Sequence, residues 1–360
     1  MTCRAARALL FATAVTVIVS LICAAAFAQK RKNEEPKPQI LPLPPEPPMA
    51  LKAETDTLDF HISPLLKTGG LAAQIRQSLA ELIRDTKGET IVRLRAFVAG
   101  AGDARRVQAE VAQMFTEHKL PLPVLSVLQV GALGDEAAQV VIEGVVSTRR
   151  TVNPNGLVFV AGQTAHSLSE ALQKLKESSA AASVPADHVL AVTCFSGRLD
   201  GEAGIRSAVQ SLFPNTAANV VQAIRDPANN DSMCEATGQP SAQAAGDGQV
   251  LVMNQQRAVA VTSRELVFTG LQLSFGSYLD DAHEAVMRLQ RAASAFGAVS
   301  APVQVNVFAL DAPAGSALRK TTSVPLSIFT VQTVEGMPAM DATAGVEAIF
   351  APGITMPLER

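Results

Sequence analysis

Three glutamates stand in apolar company inside similar short stretches: Glu143 in "VVIEGVV", Glu235 in "SMCEATG" and Glu347 in "AGVEAIF". A carboxylate held among aliphatic side chains can orient or activate a water molecule, or it can be structural and accept backbone amides. Three glutamines, Gln129, Gln222 and Gln332, recur in the stretches just before them. Cys194 and Cys234 are the only cysteines beyond residue 23. In an oxidising compartment they can form one disulfide, and otherwise they are two small buried hydrophobes; the sequence leaves both open.

The remaining reactive types are scattered. His61, His118, His166, His188 and His283 show no metal-ligand spacing, so no metal and no cofactor are expected. Asp280 and Asp281 beside His283 read as acids complementing a helix N-terminus. "GAGD" (100–103) reads as a turn after a strand, and no nucleophile-elbow motif is present. Arg95, Arg206 and Arg319 read as solvated or structural residues. With a net charge of −3, no Trp and one Tyr, the chain has neither the basic stripe nor the stacking rings of a nucleic-acid binder.

The elements that would position these residues come in three similar passes. Arg4 and Arg7 precede the uncharged run 8–28, which closes on Ala26-Phe27-Ala28. Residues 1–28 therefore read as a cleaved export signal, or as an uncleaved membrane anchor, since such a run is long enough to span a bilayer. Either way the body is expected outside the cytoplasm, periplasmic or extracellular. Residues 29–52 form a charged, then proline-rich linker.

From there an order of strand, amphipathic helix, strand, helix, strand, strand recurs over units 53–148, 149–243 and 244–360. In the first unit Ile75, Leu79, Leu82 and Ile83 share one helix face, and Val107, Val111, Met114 and Phe115 share another. Leu168, Ala171, Leu172 and Leu175, then Ile205, Val209, Leu212 and Phe213, do so in the second. In the third, Ala285, Val286, Leu289 and Ala293 mark one helix, and the other is shortened to "AGSALRKTT". Phe97, Phe195 and Phe308 fall at one strand position, and "LVFVAGQ" (157–163) matches "LVFTGLQ" (266–272). The fold class is α+β. Each unit should be a mixed sheet with two helices on one face, and the bare sheet faces should pack together as a three-fold, barrel-like body in one monomeric chain.

"NPNGLVFVAGQTA" (153–165), "LRAFVAGAGD" (94–103) and "PVLSVLQVGALGDEAAQVVIEGVV" (123–146) resemble the opening, middle and closing signatures of the RidA family, also called YjgF or endoribonuclease L-PSP. The resemblance runs over about residues 54–350 in three blurred copies. It implies a chorismate-mutase-like fold, a covalent pseudo-trimer in place of the family's homotrimer, and clefts between the units. It also implies hydrolysis of 2-imino acids (2-iminobutanoate/2-iminopropanoate deaminase chemistry) by a glutamate matched here by Glu143, Glu235 and Glu347, with Gln163 and Gln272 at binding positions. The family's carboxylate-binding arginine falls four residues before the recurring glutamine, at Leu125, Ala218 and Ile328, and is absent from all three. Two functions follow as expectations: a divergent small-molecule-binding or scaffold module without the ancestral reaction, or a hydrolase of imines, enamines or related metabolites with altered carboxylate recognition.

Overall fold

Apolar alternation and helical periodicity dictate most of the elements. The computed structural model describes residues 50–54, 58–87, 89–147, 156–199, 202–224, 231–240, 250–253, 258–261, 266–295 and 302–351. The expected leader, nearly all of the linker and both internal unit boundaries lie outside these residues. The described part belongs to one unit spanning Pro45–Arg360.

The first sheet has the order β2 (Leu58–Ile62), β6 (Val140–Ser147), β3 (Thr90–Ala99), β4 (Val124–Val130), with α1 (Leu71–Asp85) and α2 (Arg105–Glu117) against it. The second runs β7 (Gly156–Ala165), β10 (Ser232–Gly238), β8 (Val189–Ser196), β9 (Ala217–Gln222), with α3 (Leu168–Ala181) and α4 (Glu202–Leu212). In the third, β13 (Leu266–Thr269) and β14 (Gln272–Ser274) both pair with β17 (Ala344–Phe350), followed by β15 (Pro302–Ala309) and β16 (Phe329–Thr333). Its helices are α5 (Leu279–Ser294) and α6 (Ala312–Thr322). In every sheet the order is first strand, last, middle, penultimate; the middle and penultimate strands are parallel and the other pairings antiparallel.

Helix faces predicted from spacing are the buried ones. Ile75, Leu79 and Leu82 of α1 pack with Val107, Val111 and Phe115 of α2 on Leu94, Ala96 and Val98, the alternate residues of β3. Equivalent clusters form under α3 and α4 and under α5 and α6. The opposite sheet faces meet one another. One inner cluster joins Phe97, Phe195 and Phe308 with Leu128, Val221 and Val334; another joins Val92, Leu157, Leu190 and Phe268. Each draws on all three sheets. The three phenylalanine rings meet edge to face, with centroids 5.7–6.4 Å apart, the arrangement that sets positive ring edges on negative ring faces.

Several expectations need correction. Ala50–Glu54, partly inside the expected linker, is a strand, β1, on the free edge of β7. A hairpin not foreseen, β11 (Val250–Met253) and β12 (Ala258–Val261), extends the third sheet beyond β13. The second helix of the third unit is not shortened: α6 has 11 residues, as many as α4. Its start is fixed by Asp311, whose side chain accepts the Ala314 N–H at 2.8 Å, and by a proline in the first turn. The stretch 326–334, expected to be the penultimate strand of the third unit, begins with a 3-10 turn, Leu326–Ile328, so β16 starts at Phe329. Finally, the stretch 124–133, expected to be the penultimate strand of the first unit, breaks at Gly131, and β5 (Ala132–Leu133) crosses over to pair with β16.

Candidate functional site

The middle strands carry the site. Because side chains alternate along a strand, residues two apart share a face. Arg95 and Phe97 of β3, Thr193 and Phe195 of β8, and Asn306 and Phe308 of β15 therefore point to the same side, where the three sheets meet. The last strand of each sheet sets a glutamate opposite the first of each pair: Arg95 faces Glu143, Thr193 faces Glu235, and Asn306 faces Glu347. A polar layer thus lies between the phenylalanine cluster and the second inner apolar cluster.

The three glutamates singled out from sequence converge there on one guanidinium. Arg95 is 3% exposed, and the glutamates are 4%, 2% and 6% exposed, so the whole group is out of bulk water. Arg95 donates from Nε to Glu143 Oε2 at 2.7 Å and from Nη1 to Glu235 Oε1 at 3.0 Å; Glu347 Oε1 lies 3.7 Å from its Nη2. Arg93 adds a second ion pair to Glu235 Oε1. The two guanidiniums also lie over rings, Arg93 over Phe159 at 5.8 Å and Arg95 over Phe97 at 5.2 Å.

Neutral side chains from the penultimate and middle strands complete the layer. Ser126 of β4 lies beside Glu235 and favours its ionised form. Asn219 of β9 donates to Glu347 Oε2, and Thr330 of β16 donates to Glu143 Oε1 at 3.0 Å. Gln304 Nε2 reaches Glu143 Oε2 at 2.8 Å, and Asn306 Nδ2 reaches Glu347 Oε1 at 2.9 Å. Irregular first strands feed the same network. β7 has one more residue than β10 between the pairs Gln163–Cys234 and Val160–Ala236. This bulge frees the Gly162 N–H, which bonds Ser126 Oγ at 3.0 Å. At the matching break between β13 and β14, the Leu271 N–H bonds Asn219 Oδ1.

Two guanidiniums face three carboxylates, and the protonation states follow that imbalance. Burial penalises the Glu235 carboxylate, but the charges of Arg93 and Arg95 and the bonds from Ser126 and Arg95 outweigh it and hold its pKa below the ordinary value. Glu347 goes the other way. Burial pushes its carboxyl up, the charges of Glu143 and Glu235 add to the push, and Arg95 and Asn306 offset only part. Arg95 itself is held firmly protonated: burial opposes its charge, and the three carboxylates overcome that.

The layer borders a cavity of about 40 Å³ lined by Arg93, Thr193, Asn219, Glu235 and Glu347 among others. At roughly 10–15 Å³ per water it holds a few water molecules and no metabolite. A roomier cleft of about 280 Å³ lies elsewhere, between β2, α1 and the segment 325–328.

The other singled-out residues scatter. Gln163 and Gln272 turn back on their own strands, donating to the Ala161 and Gly270 carbonyls at 2.8 and 2.9 Å. Leu125 and Ala218 pack partly buried against the helix-side cores. By pairing register, Leu125 faces Leu94 and Ala218 faces Val192, while Val305 faces Phe329. The third counterpart is therefore Phe329, one residue past the expected Ile328, and none of these positions is an arginine. The same one-residue offset moves Gln332 out of step: Gln129 and Gln222 face Val98 and Ser196, but Gln332 faces Phe308. Cys194 and Cys234 sit opposite each other on β8 and β10 and are joined in a disulfide, Cα–Cα 4.1 Å. Asp281 accepts the Tyr278 N–H at 3.3 Å at the start of α5. Arg319 lies 4.7 Å over the Phe329 ring, and the Arg206 side chain is outside the described residues. Among the described residues no group of three or more His, Cys, Asp or Glu is placed to hold a metal ion. Sequence reasoning missed Ser126, Asn219, Gln304, Asn306 and Thr330, and read Arg95 as a solvated or structural residue without naming the glutamates as its partners. The available signal was Arg95 itself, a charged residue between apolar neighbours two positions before the recurring phenylalanine.

No protein-family model matches the chain, and no curated protein matches it. Among solved structures, a member of the YjgF/YER057c/UK114 family from Mycobacterium tuberculosis is similar over 26% of this chain and 84% of its own, at 18% identity and a TM-score of 0.23. PurLQS from Thermotoga maritima is similar over 82% of this chain and 72% of its own (10% identity, TM-score 0.28). Phosphoribosylformylglycinamidine synthase II from the same organism is similar over 85% of this chain and 74% of its own (9% identity, TM-score 0.25).

Proposed function

We propose that the chain is a divergent RidA-like protein of three tandem units arranged as an intramolecular pseudo-trimer, and that it acts as a small-molecule-binding or scaffold module rather than an imine hydrolase. The repeated sheet order, the phenylalanine trio and the bonds between sheets from Asn219 to Glu347 and from Thr330 to Glu143 support the three-fold part of this reading. The observation that carries the functional part is that Glu143, Glu235 and Glu347 all bind Arg95 inside the body. A carboxylate already paired and hydrogen-bonded in a few-water cavity has no substrate to activate water against. The missing carboxylate-binding arginine points the same way, because a buried carboxylate without a charged partner loses several kcal/mol, on the order of 3–5.

The basic residues and Ala-Phe-Ala site at the N-terminus favour export of this module, with a retained membrane anchor as the alternative. Among the described residues no helix is long and apolar enough to cross a membrane.

Imine hydrolysis tests the reading. 2-Imino acids are generated with an amino-acid oxidase and keto-acid release is followed. The expected rate equals the uncatalysed one. Turnover that disappears in Glu143→Gln, Glu235→Gln or Glu347→Gln variants overturns the non-enzymatic reading.

A further inference from the structure

We propose that the cleft between β2, the C-terminal half of α1 and the segment 325–328 binds a small organic cation, an amine or guanidinium carried on an apolar body. At about 280 Å³ it is several times larger than the cavity of the polar layer, and it shares no residue with that layer. Ile62, Leu82 and Ile328 supply an apolar wall, and Glu81 and Asp85 supply charge. The two acids are four residues apart on α1, so both project from one helix face. They also occupy its last turns, where the negative end of the helix dipole adds to the attraction for a cation.

Among the described residues no lysine or arginine lines the cleft. The nearest cation in sequence, Arg84, meets Asp85 only as an exposed pair at 3.2 Å, with side chains 69% and 56% exposed. Such an exposed pair holds its partners weakly and is readily exchanged for a ligand. His61, on the strand side of the cleft, adds an imidazole with no side-chain hydrogen bond among the described residues, and a neutral imidazole nitrogen accepts from an ammonium. The chemistry is thus the reverse of a carboxylate site: acids and an acceptor around an apolar slot.

This inference rests on the binding-module reading but fails separately from it, since one test measures turnover and the other binding. Calorimetric titration of the whole protein uses phenethylamine as probe and 3-phenylpropionate as the matched carboxylate. Expected are saturable binding of the amine to one site and none of the carboxylate. Replacing Glu81→Gln together with Asp85→Asn removes two charge-assisted contacts and should weaken amine binding more than about tenfold. The exposed Ser327→Trp change fills the slot and should abolish it. The Tm of each variant, unchanged, separates lost binding from lost folding. Absence of saturable amine binding, equal binding of the carboxylate, or binding that survives either variant overturns the proposal.

Discussion

At the residue scale, the polar layer makes opposite predictions for two glutamates that look alike in the sequence. Glu235 has its pKa held below the ordinary 4.5, so its contribution to stability is present above pH 4.5 and is lost as pH falls through the lowered value. Glu347 has its pKa raised above 4.5, so its contribution is full below pH 4.5 and is lost as pH rises through the raised value. At pH 7, Glu235→Gln should therefore cost about 1–3 kcal/mol, because it unbalances Arg93 and Arg95. Glu347→Gln should be neutral or stabilising, since the amide reproduces the uncharged form and Asn306 can turn to meet it. Denaturant unfolding from pH 7 to pH 4 should show both differences shrinking in acid. Equal losses for the two variants at pH 7 would contradict the assignment. The glutamates were legible in the sequence because they recur. Their partner was not, because Arg95 occurs in one unit only, where Thr193 and Asn306 stand at the matching places. A lone arginine on a strand gives no sign that it will meet carboxylates from 48 to 252 residues further along.

At the element scale, long helices and core strands were readable, and irregularities were not. Periodicity places Ile75, Leu79 and Leu82, or Ala285, Val286 and Leu289, on buried faces without any knowledge of the neighbours. The bulges at Gly162 and Leu271 leave no such trace, because their N–H groups are satisfied by Ser126 and Asn219 on other sheets. The one-residue offset of β16 is also invisible, since a 3-10 turn and a strand start differ little in composition. β1 and the β11–β12 hairpin are short edge additions. Their pairing, rather than any strong alternation, defines them. The disulfide ties β8 to β10 across 40 residues. Constraining a loop of that length in the unfolded chain stabilises by about 2–4 kcal/mol. The Cys194→Ala/Cys234→Ala double variant should lose that much in denaturant unfolding. The parent should lose a similar amount under reducing denaturation, and the variant should then show no sensitivity to reductant. A double variant as stable as the oxidised parent would contradict a stabilising role.

At the scale of the whole molecule, the polar layer bears on how the units assemble. In a symmetric trimer of identical subunits, the residue opposite each glutamate would be the same three times. Three arginines would set like charges against one another, and three threonines would leave the carboxylates without the cation that Arg95 supplies. Here Arg95, Thr193 and Asn306 differ, and place one cation, one hydroxyl and one amide around Glu143, Glu235 and Glu347. Such a division is possible because the three sheets belong to one chain and need not carry the same residues. The inner sheet faces are also already covered, Phe97 clustering with Phe195 and Phe308, and Leu157 with Val92 and Leu266. Among the described residues no apolar inner face is then left to drive association with further chains. Light scattering on the purified chain should give one chain per particle, no more than 37.7 kDa. Arg95→Met should unfold at lower denaturant while remaining monomeric, because it leaves buried Glu143 and Glu347 without a cation and changes no surface. A parent particle of three chains would overturn the pseudo-trimer, and an Arg95→Met variant as stable as the parent would show that the carboxylates do not depend on that cation.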